Sequence, residues 1–144
     1  MLRIYDMSQF NRQVNKLLDL LYTSAYSYKE WSVHMSNPKL ITTFTNLSTR
    51  RKLLAREIEQ TLSQESIPVC KIIENTPRHA FFNKREGEET IHHFSIMDST
   101  IAKQYTIVSR NNSCSKDLRV LIHEHQSNLL ADQKELNSQV FQKI

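Results

Sequence analysis

The sequence predicts an all-α fold, a bundle of four long antiparallel helices, and three observations predict it. Chain-breaking residues are scarce: the 144 residues include one glycine, Gly87, and three prolines, Pro38, Pro68 and Pro77. Sheet folds need frequent turns, and turns need Gly, Pro, Asn or Asp, so sparse punctuation means few elements, each of them long. Apolar residues recur in alternating steps of three and four along four separate stretches, the spacing of one helix face. Finally, a hydrophobic fraction of 39% with a mean hydropathy of −0.52 suits a bundle whose outer faces are polar.

The elements follow in order. Helix α1, at about 8–35, carries the seam Val14, Leu17, Leu21, Ser24, Tyr28, Trp31 and Met35. Asn37-Pro38 reads as an N-cap followed by proline at the first helical position, which ends α1 and starts α2 at about 38–64. Its seam is Leu40, Phe44, Leu47, Arg51, Leu54, Ile58 and Thr61. Pro68 and Pro77 bracket a stretch without helical period, about 65–83. Helix α3, at about 84–111, has the seam Ile91, Phe94, Asp98, Ile101, Tyr105 and Val108. Asn111-Asn112-Ser113 interrupts it, and Ser115 can cap α4 at about 115–141, with the seam Leu118, Ile122, His125, Leu129, Asp132, Leu136 and Val140. Steps of this kind belong to helices crossing at shallow angles, and four equal seams are buried naturally by a four-helix bundle, one domain over 1–144.

Each seam is broken near its middle by a polar residue: Ser24, Arg51, Asp98 and His125. Arg51 and Asp98 lie at similar depth in their helices and so fall at one level whether α2 and α3 run parallel or antiparallel, with His125 within about a turn. A mid-bundle polar layer is therefore expected. Its structural reading is a buried Asp98–Arg51 ion pair that fixes register, adding little net stability while making loss of either partner costly. Its functional reading is a metal site with Glu57, Asp98 and His125 as ligands. The aromatic group Tyr22, Tyr26, Tyr28 and Trp31 follows helical spacing and reads as core and rim packing.

Other function classes find little support. The net charge of +4 comes from 19 basic and 15 acidic residues, interspersed, and mainly favours solubility. The tightest basic cluster, Arg50-Arg51-Lys52 with Arg56 a turn later, reads as a solvated helix face, with weak nucleic-acid binding as the lesser alternative. No apolar run approaches the ~20 residues of a membrane span, and Met1 to Asn11 lacks a signal-peptide pattern, so a cytoplasmic protein without membrane association is expected. Cys70 and Cys114 form neither a disulfide framework nor a metal-ligand spacing, and neither has the His and carboxylate of an activated nucleophile. One glycine cannot build a phosphate-cradling loop. Glu89-Thr90-Ile91-His92 has the Glu-x-x-His spacing of carboxylate-bridged di-iron bundles, but it occurs once, off the seam, and His93, His123 and Glu124 complete no recognisable geometry.

Diffuse features over about residues 12–137 carry a family resemblance. They are Asn15-Lys16-Leu17-Leu18-Asp19, Asn37-Pro38-Lys39-Leu40, the run from Arg50 to Glu57, the run from Asp98 to Tyr105, and Leu118-Arg119-Val120-Leu121-Ile122. In these the chain resembles bacterial ferritin-like proteins that carry a domain of unknown function. The resemblance implies a ferritin-like bundle with a long crossover from the second helix to the third, which a linker from Glu65 to Asn83 can span. It also implies where metal ligands would lie, and they carry over badly. Ala25 stands where α1 would have a Glu, and Gln60 stands where a His would follow Glu57. Helix α3 offers Asp98 rather than Glu, and α4 offers His125 or Gln133 without a Glu three residues before either.

The expectation is thus a ferritin-like protein that has lost its di-metal site. It would act without catalysis as an interaction or stress-associated protein, self-associating, with no cofactor. The alternative is an atypical mid-bundle site binding iron or manganese.

Overall fold

The computed structural model of the protein describes residues 4–68 and 88–141, with side chains for 8–68 and 91–139. The described residues form four helices and no strand: α1 at Ile4–His34, α2 at Pro38–Gln64, α3 at Glu88–Arg110 and α4 at Lys116–Phe141. α1 begins earlier than its seam suggested. The expected start of α3 at 84, and most of the expected linker including Cys70, lie outside the described residues.

Capping sets the boundaries. Asn37 has an extended backbone, and its side-chain oxygen accepts from Lys39 N at 3.0 Å and Leu40 N at 3.4 Å, with Pro38 at the first helical position. α2 stops in a Schellman turn: Ile67 N donates to Leu62 O at 2.9 Å and Ser66 N to Ser63 O at 3.1 Å. Ser66 holds the left-handed position of that turn, φ 58°, where glycine is the usual residue. Ile67 then packs on the core, the apolar contact that accompanies this motif. α4 opens on Ser115, whose Oγ accepts from Leu118 N at 3.1 Å and donates to Glu65 Oε2 at 2.5 Å, so one hydroxyl caps α4 and ties it to the end of α2. Arg119 reaches back to Ser109 O at 2.9 Å and Asn111 O at 3.2 Å, satisfying carbonyls at the end of α3.

Contacts between side chains fix the helix directions. Tyr28 meets Phe44 and Ser48 bonds Ala25 O, so α1 and α2 are antiparallel. Tyr28 and Trp31 meet Phe94 while Gln13 meets Gln104 and Asn111, so α1 and α3 are antiparallel as well. Arg51 with Asp132 and Thr43 with Gln139 set α2 antiparallel to α4, and Tyr105 with His125 and Ser109 with Arg119 do the same for α3 and α4. α1 and α4 are diagonal to each other, as are α2 and α3, and α2 therefore runs parallel to α3.

Buried apolar side chains fall into two clusters. One runs from Phe10, Leu17 and Leu21 through Ile58, Tyr105 and Ile122. The other gathers Tyr28, Trp31, Phe44, Phe94 and Leu136, where Phe94 stacks on Tyr28 at 4.2 Å and meets Phe44 edge-on at 5.0 Å. Tyr22, Tyr28 and Trp31 are thus core residues, and Tyr26 stays at the rim. Each fully buried Leu, Ile or Phe contributes about 1.5–3 kcal/mol of transfer free energy, so these clusters, rather than the polar groups between them, hold the fold.

Candidate functional site

Between the two clusters lies a charged layer. Arg51, on α2, is 0% exposed. Its Nη2 donates to Asp98 Oδ2 on α3 at 3.1 Å and its Nη1 to Asp132 Oδ2 on α4 at 2.8 Å. Asp132 is also held from the surface side by Arg50, which reaches Glu135 at 3.6 Å. From α1, the Tyr28 hydroxyl donates to Asp98 Oδ2 at 3.0 Å, and its ring lies 5.7 Å from the Arg51 guanidinium carbon. All four helices therefore contribute to one network.

Its electrostatics are those of a desolvated ion pair. Burial works against the charge on Arg51, yet Asp98, Tyr28 and Asp132 hold its pKa above the ordinary value. Burial pushes the Asp98 carboxyl up, and the Arg51 guanidinium and the Tyr28 hydroxyl oppose that rise. Tyr28 itself is raised well above the ordinary phenol range by burial and by the Asp98 carboxylate, so it stays protonated and donates.

A second polar group lies further along the bundle. The Tyr105 hydroxyl and His125 Nδ1 are 2.8 Å apart, and His125 Nε2 lies 3.6 Å from Glu57 Oε2, beyond hydrogen-bond reach. Burial raises the Tyr105 pKa far above its ordinary value, so its proton remains and can be donated to Nδ1. In that tautomer the imidazole carries its own proton on Nε2, facing Glu57. Burial lowers the His125 pKa while Glu57 and Glu124 oppose the fall.

The residues singled out in the sequence are thus distributed over two levels. Arg51 and Asp98 pair; His125 joins Tyr105 instead; Ser24 is fully buried and its Oγ has no hydrogen-bond partner among the described residues. Two further members of the charged layer, Asp132 and Tyr28, lie outside the set of mid-seam polar breaks that the sequence marks. Both sit on the seams, and Asp132 is a buried acid two turns from His125. The sequence carries that signal, but only the α2–α4 register sets Asp132 opposite Arg51.

The fit to a di-metal centre is poor. Such a site needs carboxylates that converge on an open cation position, whereas here a guanidinium already lies between Asp98 and Asp132. Among the described residues no three of His, Cys, Asp and Glu gather at metal-holding distances, and Glu57 with His125 makes a pair at most. Ala25 is buried, Gln60 is exposed and Gln133 is half-buried, none of them a strong ligand. His92, His123 and Glu124 are exposed, and the side chain of Glu89 lies outside the described residues.

The basic run does not form one solvated face, because Arg51 points into the core and Arg50 is paired with Asp132. Cys114 is buried, and burial pushes its thiol up to about 11, which leaves little thiolate at neutral pH. Among the described residues no helix is long and apolar enough to cross a membrane. In comparisons with family models, curated proteins and solved structures, nothing matches the chain.

Proposed function

We propose that this chain is a ferritin-like bundle in which an internal ion network replaces the metal ligands, and that it serves as a non-catalytic, self-associating interaction or stress-associated protein. The observation that carries this reading is Arg51: a fully buried guanidinium held between Asp98 and Asp132 places positive charge where such a bundle would need metal. In the proposed topology, the connection from α2 to α3 is a crossover. Support comes from the ends it joins, since α2 finishes beside Ser115 while α3 begins beside Trp31, at opposite ends of the bundle. Contact with other molecules falls to the outer faces, where Val33, Leu53, Ile96, Val120 and Leu130 are each more than half exposed.

Elemental analysis of untagged protein, with thermal unfolding in the presence of Fe²⁺, Mn²⁺ or Zn²⁺, tests the non-metal reading. The expected result is no stoichiometric metal and no rise in Tm. Stoichiometric metal, with stabilisation abolished by Glu57→Ala, would instead establish a site at Glu57 and His125, which face each other at 3.6 Å. Sedimentation velocity over a range of concentrations tests self-association, and a monomer throughout would refute it.

A further inference from the structure

The charged layer leaves three polar atoms in the interior without hydrogen-bond partners among the described residues: Ser24 Oγ, Arg51 Nε and Asp98 Oδ1. The residues are 0%, 0% and 3% exposed, so bulk solvent does not satisfy them. Buried polar groups in folded proteins almost always find partners, and a set left over in one region marks a place where something small is bound.

The three atoms belong to one level. Arg51 and Asp98 are already in contact through Nη2 and Oδ2 at 3.1 Å, so Nε and Oδ1 are the remaining donor and acceptor of the same ion pair. Ser24 lies one helical turn before Tyr28, on the same face of α1, and the Tyr28 hydroxyl bonds Asp98 Oδ2. Its neighbour Ala25 accepts from Ser48, one turn before Arg51 on α2, which sets Ser24 within a turn of Arg51 from the other side as well.

Chemistry then selects the guest. Nε–H can only donate, Oδ1 can only accept, and a serine hydroxyl does both. Inside the core Arg51 already faces Asp98 and Asp132, and Arg50 and Glu135 extend the network to the surface, so every charge has an opposite partner and a neutral guest fits the three open positions. We propose that the mid-bundle layer binds one neutral hydrogen-bonding molecule, an ordered water, held by Ser24 Oγ, Arg51 Nε and Asp98 Oδ1. It accepts from Nε–H and donates to Oδ1 and Oγ, closing the three open positions and linking α1, α2 and α3 at a single point. The inference holds whichever role the bundle plays, since it depends only on the interior of the wild-type chain.

A crystal structure of the wild-type protein at a resolution that shows ordered water tests it. The expected result is one density peak within about 3.2 Å of all three atoms. An Arg51 Nε bonded directly to Asp98 Oδ1, with no peak beside them, would overturn the proposal, and a peak with the scattering of chloride or a metal would overturn its neutrality. In solution, NMR of protein labelled with ¹⁵N-arginine gives an independent reading. The Arg51 Nε–H proton should show cross-relaxation with a long-lived water, and a through-hydrogen-bond coupling to the Asp98 carboxylate in its place would refute the site.

Discussion

Arg51 is the residue on which the interior depends most, because it neutralises two carboxylates that α3 and α4 bring into the core. Arg51→Met keeps roughly the volume but leaves Asp98 and Asp132 buried without their shared cation. Breaking a buried pair in this way costs roughly 3–5 kcal/mol, so a clear drop in the urea midpoint is expected. Changing Asp98 and Asp132 to Leu in the same chain should restore most of the loss, since a well-packed apolar triad is often neutral or stabilising relative to the ionic one. A triple variant no more stable than Arg51→Met would mean that the network does more than compensate its own burial. His125 supplies a pH-dependent counterpart. Burial lowers its pKa, so the unfolded chain binds the proton where the folded state does not, and stability falls as pH drops through about 6.5 toward the lowered folded value. His93, half-buried, acts in the same sense. The comparison is therefore with His125→Gln, which can still accept from Tyr105 but cannot titrate. Its loss of stability between about pH 7 and about pH 5 should be smaller than that of the wild type, and equal slopes would remove His125 as a source. At this scale the sequence showed that Arg51 and Asp98 each interrupt an apolar seam at mid-helix, enough to pair them. It did not show Asp132, because choosing between His125 and Asp132 requires the offset of α4 against α2, and no local pattern encodes that offset.

Among the elements, the boundaries marked by a cap residue or a chain-breaking run were legible to within about a residue, and the start of α1 was not. Asn37-Pro38 and Ser115 announce helix starts through the side chain each supplies to a free backbone N–H, and both caps form. The start of α1 has no such signal, and the helix runs back to Ile4, well before its first seam residue, Val14. The apolar seams coincide with the buried faces of the helices. From Val14 to Leu136 their described members are buried, apart from Thr61, which is half-buried near the end of α2. What the seams did not give is breadth: Leu18, Tyr22, Ala25 and Ser27 on α1, and Ala55 and Leu62 on α2, are also buried. A step of three and four marks the centre of a face, and its width depends on how closely the neighbouring helix approaches. The Schellman turn after α2 yields a test at this scale. Ser66 occupies a left-handed conformation that costs a non-glycine residue roughly 1–2 kcal/mol. Ser66→Gly removes that steric cost but loosens the unfolded chain, so a net gain of about 1 kcal/mol is expected, read as a higher urea midpoint at unchanged slope. A lower midpoint would show that Ser66 contributes a contact worth more than its strain.

For the whole molecule, the direction of each helix decides what the connection between α2 and α3 must accomplish. α2 is antiparallel to α1 and α4, and α3 is antiparallel to the same two helices, so the end of α2 and the start of α3 lie at opposite ends of the bundle. A simple up-and-down bundle would put them side by side. The seams could not separate these two arrangements, because four equal apolar stripes close into a bundle either way and only long-range contacts such as Tyr28 with Phe94 tell them apart. The difference is large enough to measure. Spin labels at Ser63→Cys, near the end of α2, and His92→Cys, near the start of α3, occupy exposed positions. The background would carry Cys70→Ser and Cys114→Ala. With a rise of 1.5 Å per residue and the two helices diagonal, the parallel arrangement separates the labelled positions by about 30 Å, whereas an up-and-down bundle brings them within about 20 Å. Pulsed electron resonance should therefore give a single distribution centred near the longer distance. A centre near the shorter one would refute the parallel course of α2 and α3, and with it the proposed ferritin-like topology, while leaving the pairing of Arg51 with Asp98 to be judged by its own variants.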